Sequence, residues 1–132
     1  MSGKHFTTTL FALLLCLSGA RDGRSDENLT AQQGKAALQK AVRFFRDKVS
    51  ANGGYLWQYA GDLTEREGEQ QASATQVWVQ PPGTPYVGET LLEAYLVCGE
   101  KHLLDAARDA AYALAMGQLA SGGWDYRIEF DP

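Results

Sequence analysis

Two short stretches of this chain are near copies of each other. Residues 51–59 read "ANGGYLWQY" and residues 120–128 read "ASGGWDYRI". Each has Ala, a small polar residue, two glycines, an aromatic, one spacer and a second aromatic. Each also follows a segment with helical spacing. Consecutive glycines end helices, because glycine enters the left-handed backbone region without a Cβ penalty. The chain must therefore stop a helix, turn and present aromatic rings at two places.

The segment before the first copy has apolar residues at Ala37, Leu38, Ala41, Val42, Phe45 and Val49. That spacing lines one helical face, and Thr30 is placed to cap it. A second helix is expected over 86–98, with Leu91, Leu92, Tyr95 and Leu96 as its apolar set. Gly99-Glu100 makes a tight turn into a third helix over 101–119. The third helix carries Ala106, Ala107, Ala110, Ala111, Ala113 and Ala115, small enough for a neighbour to approach closely. Residues 55–85 are expected to form a long irregular loop. They hold the charged "GDLTEREGEQQ" and the proline-rich "VWVQPPGTP", with Val77 to Val79 as a short strand at most. A long loop inside a small domain is more often functional than incidental.

The predicted fold class is all-α: helical hairpins of an incomplete α/α toroid, truncated after the second turn. Recurring helical units with a shared turn belong to toroids and solenoids, and one unit alone cannot bury its apolar face. A chain of this kind is expected to be a fragment or the start of a larger domain, and to self-associate or aggregate alone.

The full length of 132 residues suits about one domain. Residues 1–20 have the pattern of a secretory signal peptide: Lys4 and His5, an apolar run over 6–17, and "LSGA" before Arg21. A retained anchor is the alternative. Leu13-Leu14-Leu15 before Cys16 is a poor lipobox. Residues 21–29 read as a linker and 30–132 as the toroid-like domain. The expected location is secreted or periplasmic, with no membrane association after cleavage. Beyond residue 20 only Cys98 and His102 remain of their types, which excludes an internal disulfide and a zinc site built from several such ligands. Twelve basic residues against 16 acidic ones, without a basic stripe, argue against nucleic acid.

"NGGY", "TQVWVQPPGTPYVGETLLEAYLVCGEKHLLDAARDAAYALAMGQLASGGWDYRI" and the order of the three turns resemble the N-terminal part of the family 10 polysaccharide lyases, the pectic acid lyases. Gly53-Gly54-Tyr55, Gly99-Glu100 and Gly122-Gly123-Trp124 follow that family's landmarks in order. The resemblance implies an α/α toroid and cleavage of an acidic polysaccharide such as polygalacturonate by β-elimination. It implies calcium as the cofactor, bound through carboxylates, and an arginine as base. Tyr55-Leu56-Trp57 departs from the family's usual Pro-Lys, and the loop at Val79-Gln80-Pro81-Pro82 lacks the family's acid. No residue matches the catalytic arginine, so this chain alone is expected to be inactive. The alternatives are a non-catalytic α/α-toroid carbohydrate-binding module and another α/α-toroid carbohydrate enzyme.

The candidate substrate-binding residues are Trp57, Tyr59, Trp124, Tyr126 and Arg127. A flat ring offers an apolar face to sugar C–H groups, and a guanidinium pairs with a uronate carboxylate. The competing reading makes the aromatics plugs between hairpins and pairs Arg127 with Glu129 or Asp131. Asp125, Glu129 and Asp131 form an acidic cluster, read either as calcium ligands or as a solvated loop. Asp62, Glu65, Glu67 and Glu69 read as surface, Cys98 as a core residue and His102 as exposed.

Overall fold

The computed structural model describes residues 30–131; the expected signal peptide and linker lie outside them. Helix α1 spans Ala31–Phe44 and continues as a π-helical turn over Phe45–Val49. Helix α2 spans Thr84–Cys98 and α3 spans Lys101–Met116. Four short strands accompany them: β1 (Gln58–Tyr59), β2 (Arg66–Glu67), β3 (Gln76–Trp78) and β4 (Arg127–Glu129). β1 pairs with β2 and β3 with β4, both antiparallel. The fold is thus mixed α and β, not all-α, and the described residues form no toroid. The expected irregular loop contains three of the strands. The short strand expected at Val77 to Val79 is β3, one residue earlier; β1 and β2 escape sequence reading because each is two residues long, too short for alternation to register.

The helices start and stop for local reasons. Thr30 Oγ1 accepts from Gln33 N, and Gln33 Oε1 accepts from Thr30 N at 2.7 Å, a reciprocal capping box. Gly99 ends α2 in the left-handed conformation, its N–H bonding Tyr95 O at 2.7 Å. α2 and α3 form the expected antiparallel hairpin. Ala106, Ala107, Ala110 and Ala113 are buried on α3, and a Cβ on Gly88 of α2 would sit 3.1 Å from that of Ala110. α1 runs parallel to α3, tied by Lys35 to Glu100 at 3.2 Å and by Arg46 Nε to Asp109 Oδ2 at 2.6 Å. Both pairs are substantially exposed, so they orient more than they stabilise. The core gathers Val42, Val49, Tyr55, Val87, Leu91 and Leu103 among the α3 alanines.

Tyr55 is the junction of these parts. Its N–H donates to Thr84 Oγ1 at 2.9 Å, and Thr84 Oγ1 donates to Tyr55 O at 3.2 Å. The same carbonyl accepts from Trp78 N at 2.9 Å. Both Tyr55 and Thr84 are fully buried. Thr84→Val keeps the side-chain volume but leaves the Tyr55 N–H without an acceptor. Removing one partner of a buried bond costs about 1–3 kcal/mol; urea unfolding of this variant is expected to show a loss in that range.

The first glycine of each Gly-Gly pair has a left-handed backbone, but the two sit in different environments. Gly53 has φ of +85° and Gly122 has φ of +88°. A Cβ on Gly53 would collide with the backbone of Asp109 in α3, whereas one on Gly122 would meet open space. Gly122→Ala is therefore expected to cost about 1–2 kcal/mol from the left-handed backbone alone. Gly53→Ala adds displacement of α3 to that strain. A thermal melt in which the two variants lose equal stability would contradict this asymmetry.

Candidate functional site

The five candidate residues divide into two pairs of aromatics with different fates, plus Arg127. Trp57 and Tyr59 belong to the first turn and face inward. Trp57 is half-buried, packs edge-on against Trp78 with ring centroids 6.0 Å apart, and donates Nε1–H to Gln80 O at 3.0 Å. Tyr59 packs on the core, and its hydroxyl accepts from Leu56 N at 2.7 Å. Burial pushes that hydroxyl's pKa up to about 12. Arg66 from β2 lies over the Tyr59 ring, 5.9 Å from its centre. Both residues have their polar ends engaged within the fold. Here they act as packing groups against Trp78 and the core.

Trp124, Tyr126 and Arg127 lie on the surface. Trp124 donates Nε1–H to Leu114 O at 2.7 Å, which pins the indole to the end of α3 while 44% of the residue stays exposed. Tyr126 is 60% exposed, and its carbonyl accepts from Val79 N at 2.8 Å. Arg127 opens β4 opposite Trp78. It is exposed and forms no ion pair with a described residue, so the expected pairing with Glu129 or Asp131 does not occur.

β3 holds these two groups in one framework. Trp78 N bonds the first turn at Tyr55 O, and Val79 N bonds the second at Tyr126 O. On β3 and β4, Val77 and Ile128 are cross-strand partners and both are buried. The side chains one residue along, Trp78 and Arg127, therefore point to the opposite face of the ladder. Sequence reading missed Trp78. It is buried, and its Nε1 has no hydrogen-bond partner among the described residues. Its signal was available only as a tryptophan inside "VWV".

The acidic candidates are engaged in holding loops. Glu129 accepts from Thr75 Oγ1 at 2.5 Å, from Ser73 Oγ at 3.4 Å and from Asp131 N at 3.2 Å. These bonds, led by that from Thr75, hold its pKa below the usual carboxylate value. Asp125 Oδ1 accepts from Tyr126 N at 2.7 Å. Asp62 accepts from Thr64 N and Thr64 Oγ1, while Glu69 is exposed and Glu65 and Glu67 are half-buried. Among the described residues no group of three or more His, Cys, Asp or Glu is placed to hold a metal ion. The donor set among the described residues does not fit the calcium that the resemblance implies. Cys98 is half-buried against the core. His102 is half-buried rather than exposed, with Nε2 buried and without a partner among the described residues. Among the described residues no helix is long and apolar enough to cross a membrane.

Comparison with protein-family models, with curated proteins and with solved structures finds no match for this chain. The lyase resemblance therefore rests on the residues quoted for it.

The Glu129 bonds give a testable pH dependence. A carboxylate with a depressed folded pKa adds stability above its unfolded pKa, near 4.5, and loses it as pH falls through the lower folded value. Asp62 and Asp105 are also depressed and contribute in both forms. Denaturation midpoints of the native chain and of Glu129→Gln should therefore converge as pH falls from above the unfolded value through the lower folded one. A constant gap between them across that range would show that Glu129 is not held by these bonds.

Proposed function

We propose that this chain binds an acidic polysaccharide such as polygalacturonate through the surface around its second Gly-Gly turn. The observation that supports this reading is the exposure of Trp124, Tyr126 and Arg127 on one short segment whose backbone is fixed at Val79 and whose indole is fixed at Leu114. A ring held in place binds without a large loss of rotamer freedom. The indole and phenol offer apolar faces to sugar C–H groups. Arg127 can meet a uronate carboxylate with two parallel N–H bonds. The chain's net charge of −4 opposes a polyanion at long range, so attraction must come from contacts within a Debye length. These three residues bind and orient; none of them is placed to break a glycosidic bond. The reading suits a secreted or periplasmic protein.

The order of the three turns supports a second reading, in which the chain is the leading part of a lyase that acts on the same polymer by β-elimination. The two readings separate by product. Ultraviolet absorbance from an unsaturated uronate end, released from polygalacturonate by a longer protein that carries this chain and not by the chain alone, would establish the lyase.

The binding reading is tested by calorimetric titration of the full chain with polygalacturonate and with a neutral galactan. The double variant Trp124→Ala/Tyr126→Ala is expected to lose at least tenfold in affinity, about 1.4 kcal/mol. Arg127→Ala should weaken polygalacturonate alone. Absence of binding to either polymer would remove this function.

A further inference from the structure

Among the described residues nothing covers the outward faces of α1 and α2, and the two faces complement each other. On α2, Glu89, Leu92, Glu93, Leu96 and Val97 are exposed, a single stripe at helical spacing. Leu96 is 75% exposed and Val97 64%. α2 contains no Lys or Arg. On α1, Ala36, Ala37, Lys40, Arg43 and Phe44 are exposed in the corresponding stripe, and α1 contains no Asp or Glu. None of Lys40, Arg43, Glu89 and Glu93 forms an ion pair with a described residue.

We propose that the α2 face of one copy of this chain packs against the α1 face of a second copy, head to tail. Charge complementarity selects this occupant over a contact of α2 with another α2, which would set acid against acid. Antiparallel packing, the arrangement α2 already adopts with α3, places Lys40 opposite Glu93 and Arg43 opposite Glu89. The same register sets Ala36 and Ala37 opposite Val97 and Leu96. Small residues thus receive large ones, as the alanines of α3 receive α2 within the chain. Burial of Leu92, Leu96 and Val97 supplies the driving force, and the charges fix register and partner. A single α1–α2 contact leaves the other face of each copy free, so association can continue beyond two copies into rings or open chains.

Sedimentation of the full chain over a range of concentrations tests this. The mean mass is expected to exceed that of the monomer and to rise with concentration. Glu89→Lys/Glu93→Lys and Lys40→Glu/Arg43→Glu should each reduce association at least tenfold. Mixing these two variants should restore it, because each then meets a complementary face on the other. Leu96→Ser probes the same face without charge and should also reduce association, with far-UV circular dichroism checking that every variant keeps its helices. A monomer at all concentrations overturns the proposal. So does association that neither charge variant weakens, or that mixing fails to recover.

Discussion

The structure depends on the backbone of one buried residue. Tyr55 has both its N–H and its carbonyl inside the protein, where an unpaired polar group is costly. Thr84 meets both with a single hydroxyl, and Trp78 N–H supplies a second donor to the carbonyl. These bonds join three distant pieces of chain: the end of α1, the β3 strand and the start of α2. A valine in place of Thr84 would satisfy the packing and fail the hydrogen bonding. Only a small β-branched residue with a hydroxyl fits both demands.

That junction explains why two similar turns play different parts. The first turn is drawn into the core, with Gly53 against the α3 backbone and Gly54 against Val77. Its aromatics then become packing groups with satisfied polar ends. The second turn follows α3 and is held by β4, by the bonds of Trp124 and Tyr126, and by local bonds from Gln118 and Leu119. Its aromatics remain open to solvent beside Arg127, which forms no ion pair with a described residue. The same local motif thus yields a wedge in one place and a contact surface in the other. Burial decides which, not the residues of the motif.

The exposed apolar stripes of the helices follow from the same architecture. Three helices and two small sheets enclose one core, and its inner face takes up Val87, Leu91 and Leu103. Leu92, Leu96 and Val97 sit on the other side of α2, where no element of the described residues covers them. An apolar stripe bordered by charges of one sign is an interface in waiting, and α1 carries the opposite sign.

The sequence by itself determined the three helices of the described residues and several of their ends, though α3 stops at Gly117 rather than at Gly122-Gly123. Thr30 and Gln33 cap α1, Gly99 closes α2, and the alanines of α3 permit the hairpin; each acts within a few residues, so each is legible from order alone. It also marked Trp124, Tyr126 and Arg127 as residues of interest. Only the tertiary structure decided that Trp57 and Tyr59 turn inward, that Glu129 accepts hydrogen bonds from Thr75 and Ser73 of the loop before β3, and that Trp78 lies buried between the two turns. It likewise decided the mixed α and β class, against an expected all-α toroid. The physical reason is range. β3 and β4 are three residues each and pair across some fifty positions of chain. A strand that short has no pattern of its own and exists only because its partner's hydrogen bonds reach it.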